Sequence, residues 1–167
     1  MDNTYGNTIK FAKLIEQYSP KAIAEVKGAP AYPRIDGIVY FYETPIGVIV
    51  STEVSGLPYE NGICKDAIFA FHIHDGKSCS GNVSDPFANS GSHYNPNNCP
   101  HPKHAGDLPP LFGNRGYAWS AVFTNRFTIN EILGKTVIIH KMPDDFTTQP
   151  SGGAGEKIAC GVIRLKG

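Results

Sequence analysis

The sequence lacks an excess of charge of either sign, because 15 lysines and arginines balance 15 aspartates and glutamates. Without a basic surplus, the composition predicts no nucleic-acid partner. No apolar run approaches the roughly 20 residues that a membrane helix needs, so we also expect no association with a membrane. Any electrostatic function must therefore come from the placement of individual charges.

The sequence also lacks a recognisable signal peptide and any C-x-x-C pair of cysteines. The segment before Pro20 has no basic region followed by an apolar stretch, so we expect a cytoplasmic protein, or an extracytoplasmic one if a signal peptide has been removed. The four cysteines contain no C-x-x-C pair, which gives little support to a zinc ribbon or a thioredoxin-like site. They allow three complete pairings, and the sequence alone does not choose among these. The cysteines are Cys64, Cys79, Cys99 and Cys160.

Alternating apolar residues run through most of the chain, whose 167 residues suffice for one domain with its own core. Residues 8–18 differ, because their apolar side chains recur every three or four positions and predict a short amphipathic helix. Segments with a period of two predict strands. These segments are 21–28, 35–43, 47–56, 66–74, 117–123, 136–140 and 157–165. So many strands indicate an antiparallel sandwich or flattened barrel over residues 21–167, preceded by a helical extension over residues 1–20.

Two long segments break the strand pattern. Residues 75–116 are rich in Gly, Asn, Pro, Ser and His and have almost no periodic apolar residues. Residues 141–156 form a second, shorter segment of the same kind. Because loops of this length inside a compact domain are usually functional, we expect something other than a hydrophobic core to order them.

All six histidines lie beyond residue 71, at strand ends or in the long loop. His72 and His74 are two residues apart on a predicted strand, so both imidazoles point to the same face and can reach one ion. The stretch H-P-K-H-A-G-D adds His101, His104 and Asp107. With one further ligand this second set satisfies the tetrahedral coordination of zinc. The clustering predicts a transition-metal site, and a bound ion would also stabilise the polar loop.

Five segments form a jointly specific pattern along the chain. They are FHIHDG (71–76), GSHYNP (91–96), HAGDL (104–108), TVIIHKMPDD (136–145) and AGEKIACGVI (154–163). In content and order they resemble the copper/zinc superoxide dismutases, in a bacterial-type form with a shortened zinc loop. The resemblance implies an all-β fold, an eight-stranded Greek-key flattened barrel of the immunoglobulin-like sandwich type, with long metal-binding and electrostatic loops. The short N-terminal helix lies outside the family core.

The resemblance also implies a complete site for a copper ion and a zinc ion. The copper ligands would be His72, His74, His93 and His140, and the zinc ligands His93, His101, His104 and Asp107. His93 would bridge the two ions, and His101 departs most from the family spacing because the zinc loop is short. Asp144 would accept hydrogen bonds from one histidine of each set and so fix the ring orientations. The alternative for Asp144 is a surface turn residue.

The cysteines divide into two groups under the resemblance. Cys79 and Cys160 match the family disulfide that joins the long loop to the last strand. In the chain-entropy model, closing a loop of this size contributes roughly 4 to 5 kcal/mol. Cys64 and Cys99 are additional, and three alternatives stay open: a second disulfide, two buried thiols, or a position near the metals.

Lys157 stands where the family usually has an arginine that guides the superoxide anion. Lysine keeps the positive charge but lacks the planar fork of donors, so we expect preserved steering, weaker anchoring and a reduced rate. The alternative is that Lys157 points to solvent and that Lys141 or another cation takes its place.

The function implied by the resemblance is an enzyme, a superoxide dismutase that forms dioxygen and hydrogen peroxide at a copper ion alternating between Cu(II) and Cu(I). His93 and Lys157 would be its catalytic residues and the superoxide anion its substrate. Two alternatives stay open: a weakly active or non-catalytic zinc- and copper-binding protein of the same fold, and a structural β-sandwich interaction module. The expected partners are a second copy in a homodimer and a copper donor.

Overall fold

The computed structural model describes residues 18–62, 65 and 67–167. Within this part of the chain lie eight strands. They are β1 (Ala22–Gly28), β2 (Asp36–Thr44), β3 (Gly47–Ser55), β4 (Ile68–His74), β5 (Asp107–Phe112), β6 (Ala118–Thr124), β7 (Thr136–His140) and β8 (Lys157–Leu165). One short helix, α1 (Ile129–Ile132), joins β6 to β7. The predicted N-terminal helix lies outside the described residues, apart from its last position.

The eight strands form one antiparallel sheet in the order β5-β4-β7-β8-β1-β2-β3-β6. The outermost strands, β5 and β6, approach each other and nearly close the sheet into a barrel. The β3–β4 and β6–β7 connections each cross to a strand that is not a neighbour, as Greek-key topology requires. The predicted eight-stranded Greek-key barrel is therefore confirmed. No helix among the described residues is long and apolar enough to cross a membrane.

The barrel interior is filled by alternate residues of each strand. On β4 these residues are Phe69, Phe71 and Ile73, all at most 2% exposed. Burying a large apolar side chain contributes roughly 1.5–3 kcal/mol, so such rows stabilise the barrel. The intervening residues of β4 point to the outer face, where His72 and His74 are nevertheless buried as well. Loops must therefore cover the outer face of β4.

Strand β5 is the main difference from the sequence prediction, which placed the whole of residues 75–116 in a loop. Residues 107–112 form β5 and pair with β4. Its Pro109 and Pro110 lack backbone N–H groups, which proteins tolerate at the edge of a sheet and not at its centre. The strand signal was therefore masked by residues that an edge strand accepts.

The predicted disulfide between Cys79 and Cys160 is confirmed, and it closes a separation of 81 residues. It belongs to a small apolar cluster on the outer face, where Phe87 and Ile138 pack against Cys160. The disulfide and this cluster hold the first half of the 75–106 loop against β7 and β8.

Candidate metal centre

Three of the predicted copper ligands come from two neighbouring strands. His72 and His74 lie on the outer face of β4, and His140 is the last residue of β7, which pairs with β4. All three are at most 4% exposed. Nε2 of His74 lies 3.2 Å from Nε2 of His140. Two buried ring nitrogens this close suit a single shared ion.

The fourth predicted copper ligand, His93, comes from the long loop and is fixed by backbone pairing to β4. It lies opposite His74 in an isolated antiparallel bridge. The N–H of Tyr94 donates to the Ile73 carbonyl at 2.8 Å. As a result, the ring centroid of His93 lies 4.0 Å from that of His72. The structure thus brings together all four predicted copper ligands, as an imidazole cluster that can hold one metal ion.

The predicted zinc ligands form a second cluster that shares His93. Oδ1 of Asp107 lies 2.8 Å from Nδ1 of His93. Nδ1 of His101 lies 3.1 Å, and Nδ1 of His104 3.3 Å, from Oδ2 of Asp107. All four residues are buried, and their ligand atoms lie within 4.8 Å of one another. A set of three Nδ1 atoms and one carboxylate suits a tetrahedral zinc ion.

Three buried ring nitrogens have no hydrogen-bond partner among the described residues: His72 Nδ1, His93 Nε2 and His101 Nδ1. Leaving a buried polar atom unpaired costs roughly 1–3 kcal/mol. Each nitrogen belongs to a residue of the two clusters, and a coordinated metal ion would supply its missing partner. The residues present therefore fit copper and zinc.

Asp144 contacts one histidine of each cluster, at the ring nitrogen that is not needed for metal binding. Its Oδ2 lies 2.9 Å from Nε2 of His72, and its Oδ1 lies 2.9 Å from Nε2 of His101. Nε2–H donation to this carboxylate leaves Nδ1 of both rings free for metal. Asp144 is buried, so its geometry is that of the predicted ring-orienting carboxylate and not of a surface turn residue.

In His74 and His140 it is Nδ1, and not Nε2, that is held by a protein group, in each case a backbone carbonyl. Nδ1 of His74 lies 2.8 Å from the Gly91 carbonyl oxygen, and Nδ1 of His140 lies 3.2 Å from that of Gly155. With Nδ1–H donating to these carbonyls, Nε2 of each ring is free for metal.

Burial lowers the pKa of three imidazoles of the copper cluster, those of His72, His74 and His140. It lowers the pKa of His72 and His74 well below the ordinary value, and neighbouring imidazoles lower both further. Burial likewise lowers the pKa of His140 to about 4, although the Gly155 carbonyl partly opposes this. Burial raises the pKa of Asp107, but the hydrogen bond and charge of His93 outweigh it, and the net pKa is lowered. Neutral imidazole and ionised carboxylate are the forms that bind metal.

Lys157 lines a cavity of about 430 Å³ together with His74, His93 and His140. Its Nζ donates to Oδ2 of Asp85 at 2.9 Å and to the Phe87 carbonyl at 3.2 Å, and its side chain is 16% exposed. The side chain is therefore largely buried in the wall of this cavity, where its ammonium group is paired with Asp85. The pairing with Asp85 was not predicted, because 72 residues separate the two.

The two additional cysteines are placed unequally. Cys99 is half-buried in the zinc loop, the 75–106 connection between β4 and β5, and forms no disulfide with any described residue. Its backbone N–H donates to Oδ1 of Asn95 at 2.9 Å. Cys64 lies outside the described residues.

Two other residues of the site were not found from the sequence. Gly152 has a φ of +68°, and a Cβ there would lie 2.0 Å from Oδ1 of Asp144. Gln149 forms hydrogen bonds to the backbone N–H and carbonyl of His101. The only signal for either was a place in the second polar loop.

An eight-stranded Greek-key barrel with two buried four-ligand clusters sharing one histidine defines a protein built for two adjacent metal ions. The family described as copper/zinc superoxide dismutase (SODC) matches residues 35–163, and the chain therefore belongs to this family.

Individual relatives agree with the family match. The chain is similar to the Cu-Zn superoxide dismutase of Deinococcus radiodurans, with 32% identity over 78% of each protein. It is 34% identical to the second Cu-Zn superoxide dismutase of Aquifex aeolicus, over 78% of this chain and 80% of that protein. It is 31% identical to the Cu-Zn superoxide dismutase of Legionella pneumophila, over 88% of this chain and 92% of that protein.

Proposed function

We propose that the chain is a superoxide dismutase, which converts two superoxide anions and two protons into dioxygen and hydrogen peroxide. The proposal is carried by the shared imidazole of His93, which belongs to both four-ligand clusters. Nδ1 of His93 lies against Asp107, while its Nε2 is buried without a partner. One ring thus offers a nitrogen to each cluster.

The two clusters would hold metals with different roles, copper for electron transfer and zinc for structure. Copper held by His72, His74, His93 and His140 would supply the one-electron steps, taking an electron from one superoxide and giving it to the next. The second cluster has the ligand set of a redox-inactive zinc site, which would orient His93 and tune its pKa.

His93 is the residue best placed to move a proton. When Nε2 is not bound to copper, it can hold a proton, which it would donate to the departing peroxide as a general acid does. Nδ1 of His93 lies in the second cluster beside Asp107, so the ring would keep its orientation and a proton at Nε2 would stay directed at the same point in successive cycles.

Lys157 supports attraction of the anionic substrate into the cavity. A cation beside a narrow cavity raises the local concentration of anions, and this effect falls with ionic strength. Asp85 lies close enough to offset part of the charge of Lys157. We therefore expect steering that is weaker than a free cation would give.

A second candidate function is metal binding by the same fold without fast turnover. The observation that favours it is the ion pair between Lys157 and Asp85, because a lysine paired with a carboxylate is less available to bind superoxide. The presence of two clusters that share His93 favours the enzyme, because the storage of copper requires neither a second metal site nor an imidazole shared between two sites.

The deciding experiment compares protein loaded with copper and zinc against protein loaded with zinc alone. We expect fast, superoxide-dependent consumption only with copper present, and a rate that falls as salt increases. A copper-loaded protein that consumes superoxide no faster than the zinc-only form would contradict the enzyme proposal and support the second candidate.

Assembly, copper supply and compartment stay predictions. Sedimentation of the purified protein distinguishes a homodimer from a monomer. Titration of the copper-free protein with a Cu(I)-carrying donor protein tests delivery. Fractionation of source cells tests the cytoplasmic prediction against the extracytoplasmic alternative.

A further inference from the structure

The two polar loops meet at the backbone of one zinc ligand. The carboxamide of Gln149 accepts a hydrogen bond from the His101 backbone N–H at 3.0 Å. The same carboxamide donates through Nε2 to the His101 carbonyl oxygen at 2.7 Å. Both polar groups of one peptide residue are thus satisfied by one side chain 48 positions away. Such a two-point contact fixes orientation as well as distance.

The local structure of the second loop explains how Gln149 reaches His101. The carboxylate of Asp145 accepts hydrogen bonds from the backbone N–H groups of Thr147 and Thr148, each at 2.8 Å. An aspartate that bonds the backbone two and three residues ahead closes a tight turn. The hydrogen bonds from Thr148 and Thr147 lower the pKa of Asp145, so the carboxylate stays ionised. The turn ends immediately before Gln149.

His101 is consequently held at both ends. Gln149 holds its backbone, and Oδ1 of Asp144 holds its ring at Nε2, 2.9 Å away. The remaining ring nitrogen, Nδ1, is 3.1 Å from Asp107 without a hydrogen-bond partner. His101 therefore already presents its metal-binding atom to the zinc cluster through contacts made by protein groups alone.

We propose that Gln149 is a positioning residue for the zinc site, which sets the His101 backbone so that Nδ1 is aimed at the metal before zinc binds. The inference rests on the zinc site of the proposed function. It also implies the reverse effect: zinc bound to His101 stabilises the 145–152 segment, whose residues Pro150 and Ser151 line the copper cavity. Zinc occupancy would thus order one wall of the copper cavity.

The test uses copper-free protein and two variants of Gln149. Gln149→Ala removes both hydrogen bonds. Gln149→Glu keeps an oxygen that can accept from the His101 N–H, but it places a carboxylate against the His101 carbonyl instead of a donor. The matched control is Asn97→Ala, because Asn97 is an exposed carboxamide of the same zinc loop whose side chain has no hydrogen bond to any described residue.

Three readouts separate positioning from general stability. Competition with a chromophoric chelator gives the zinc affinity, and the visible spectrum of bound Co²⁺ reports whether the site is tetrahedral. Amide exchange at His101 in metal-free protein reports whether the hydrogen bond from its N–H to Gln149 is intact. We expect Gln149→Ala to weaken zinc binding about ten-fold, the lower end of the range for groups that hold metal ligands. It should also distort the Co²⁺ spectrum and speed exchange at His101.

The Glu variant should weaken zinc binding while part of the exchange protection at His101 remains, because an acceptor for that N–H is kept. Zinc affinities and Co²⁺ spectra of both Gln149 variants equal to those of Asn97→Ala would overturn the positioning role. Absence of zinc binding by the unmodified protein would instead overturn the zinc site of the proposed function, and the role of Gln149 with it. The two failures are therefore distinguishable.

Discussion

The contact between Asp144 and His101 leaves no room for a side chain at Gly152, so Gly152→Ala should disrupt the link between the two clusters. A Cβ at this position would lie 2.0 Å from Oδ1 of Asp144 and 2.7 Å from Nε2 of His101. Real Cβ atoms do not approach other atoms this closely, and both groups are buried. The carboxylate or the imidazole must therefore move, and their hydrogen bond must lengthen or break.

The magnitude has two parts. Gly152 has a left-handed φ of +68°, which costs an alanine roughly 1–2 kcal/mol. Loss of a buried hydrogen bond to a charged group adds roughly 1.5–3 kcal/mol. Gly134 is a control that isolates the backbone cost from the loss of the hydrogen bond. Its φ is also left-handed, at +78°, but a Cβ there would meet nothing within 4 Å. Gly134→Ala should therefore lose only the first part.

The assay is denaturant unfolding of both variants in metal-free form, with zinc affinity measured in parallel. We expect Gly152→Ala to lose about 2 kcal/mol more stability than Gly134→Ala, within the range for that hydrogen bond. It should also lose at least ten-fold in zinc affinity, because Asp144 orients His101. Equal losses in the two variants, with unchanged zinc affinity, would refute the role given to the Asp144–His101 contact.

Three further predictions concern the cation, the buried imidazoles and the disulfide. Lys157→Arg should raise the rate of superoxide consumption and Lys157→Ala should lower it and flatten its salt dependence; unchanged rates in both would remove Lys157 from the mechanism. Metal-free protein should lose stability as the pH falls from 6.5 to about 4, because the unfolded chain protonates His140 in that range and the folded chain does not. His140 alone contributes roughly 3 kcal/mol to this loss, and the lowered pKa values of His72 and His74 add to it in the same direction. Unfolding curves that do not change over this range would contradict the lowered pKa. Replacing Cys79 and Cys160 by alanine should cost roughly 4 kcal/mol in denaturant unfolding under oxidising conditions, and the variant should match the reduced native protein.

The strands and the ligands were predictable for different reasons. Strands such as β4 carry local alternation, which a sequence displays directly. The seven predicted metal ligands could be assigned only through the resemblance to a family, since His72 and His74 alone are only two histidines on one face. Strand β5 was not found because Pro109 and Pro110 conceal an edge strand. Helix α1 was also missed, although Glu131 bonds the backbone N–H of Thr128, a start signal that the sequence shows.

The supporting contacts of the site were not predictable, because each joins residues far apart in sequence. Asp85 reaches Lys157 across 72 positions, and Gln149 reaches His101 across 48. Both partners lie in polar loops without periodicity, where only the folded barrel brings the chain segments together. The constraint on Gly152 comes from Asp144 of its own loop and from His101 of the other loop, whose ring contacts the Asp144 carboxylate.

The central claim is that His93 is shared by two different metal ions. A crystal structure of the protein loaded with Cu(II) and zinc, with anomalous maps at both absorption edges, tests it most directly. We expect two ions, with copper at Nε2 of His93 and zinc at Nδ1, each about 2 Å from its nitrogen. A single ion, or two ions of which one lies away from His93, would contradict it.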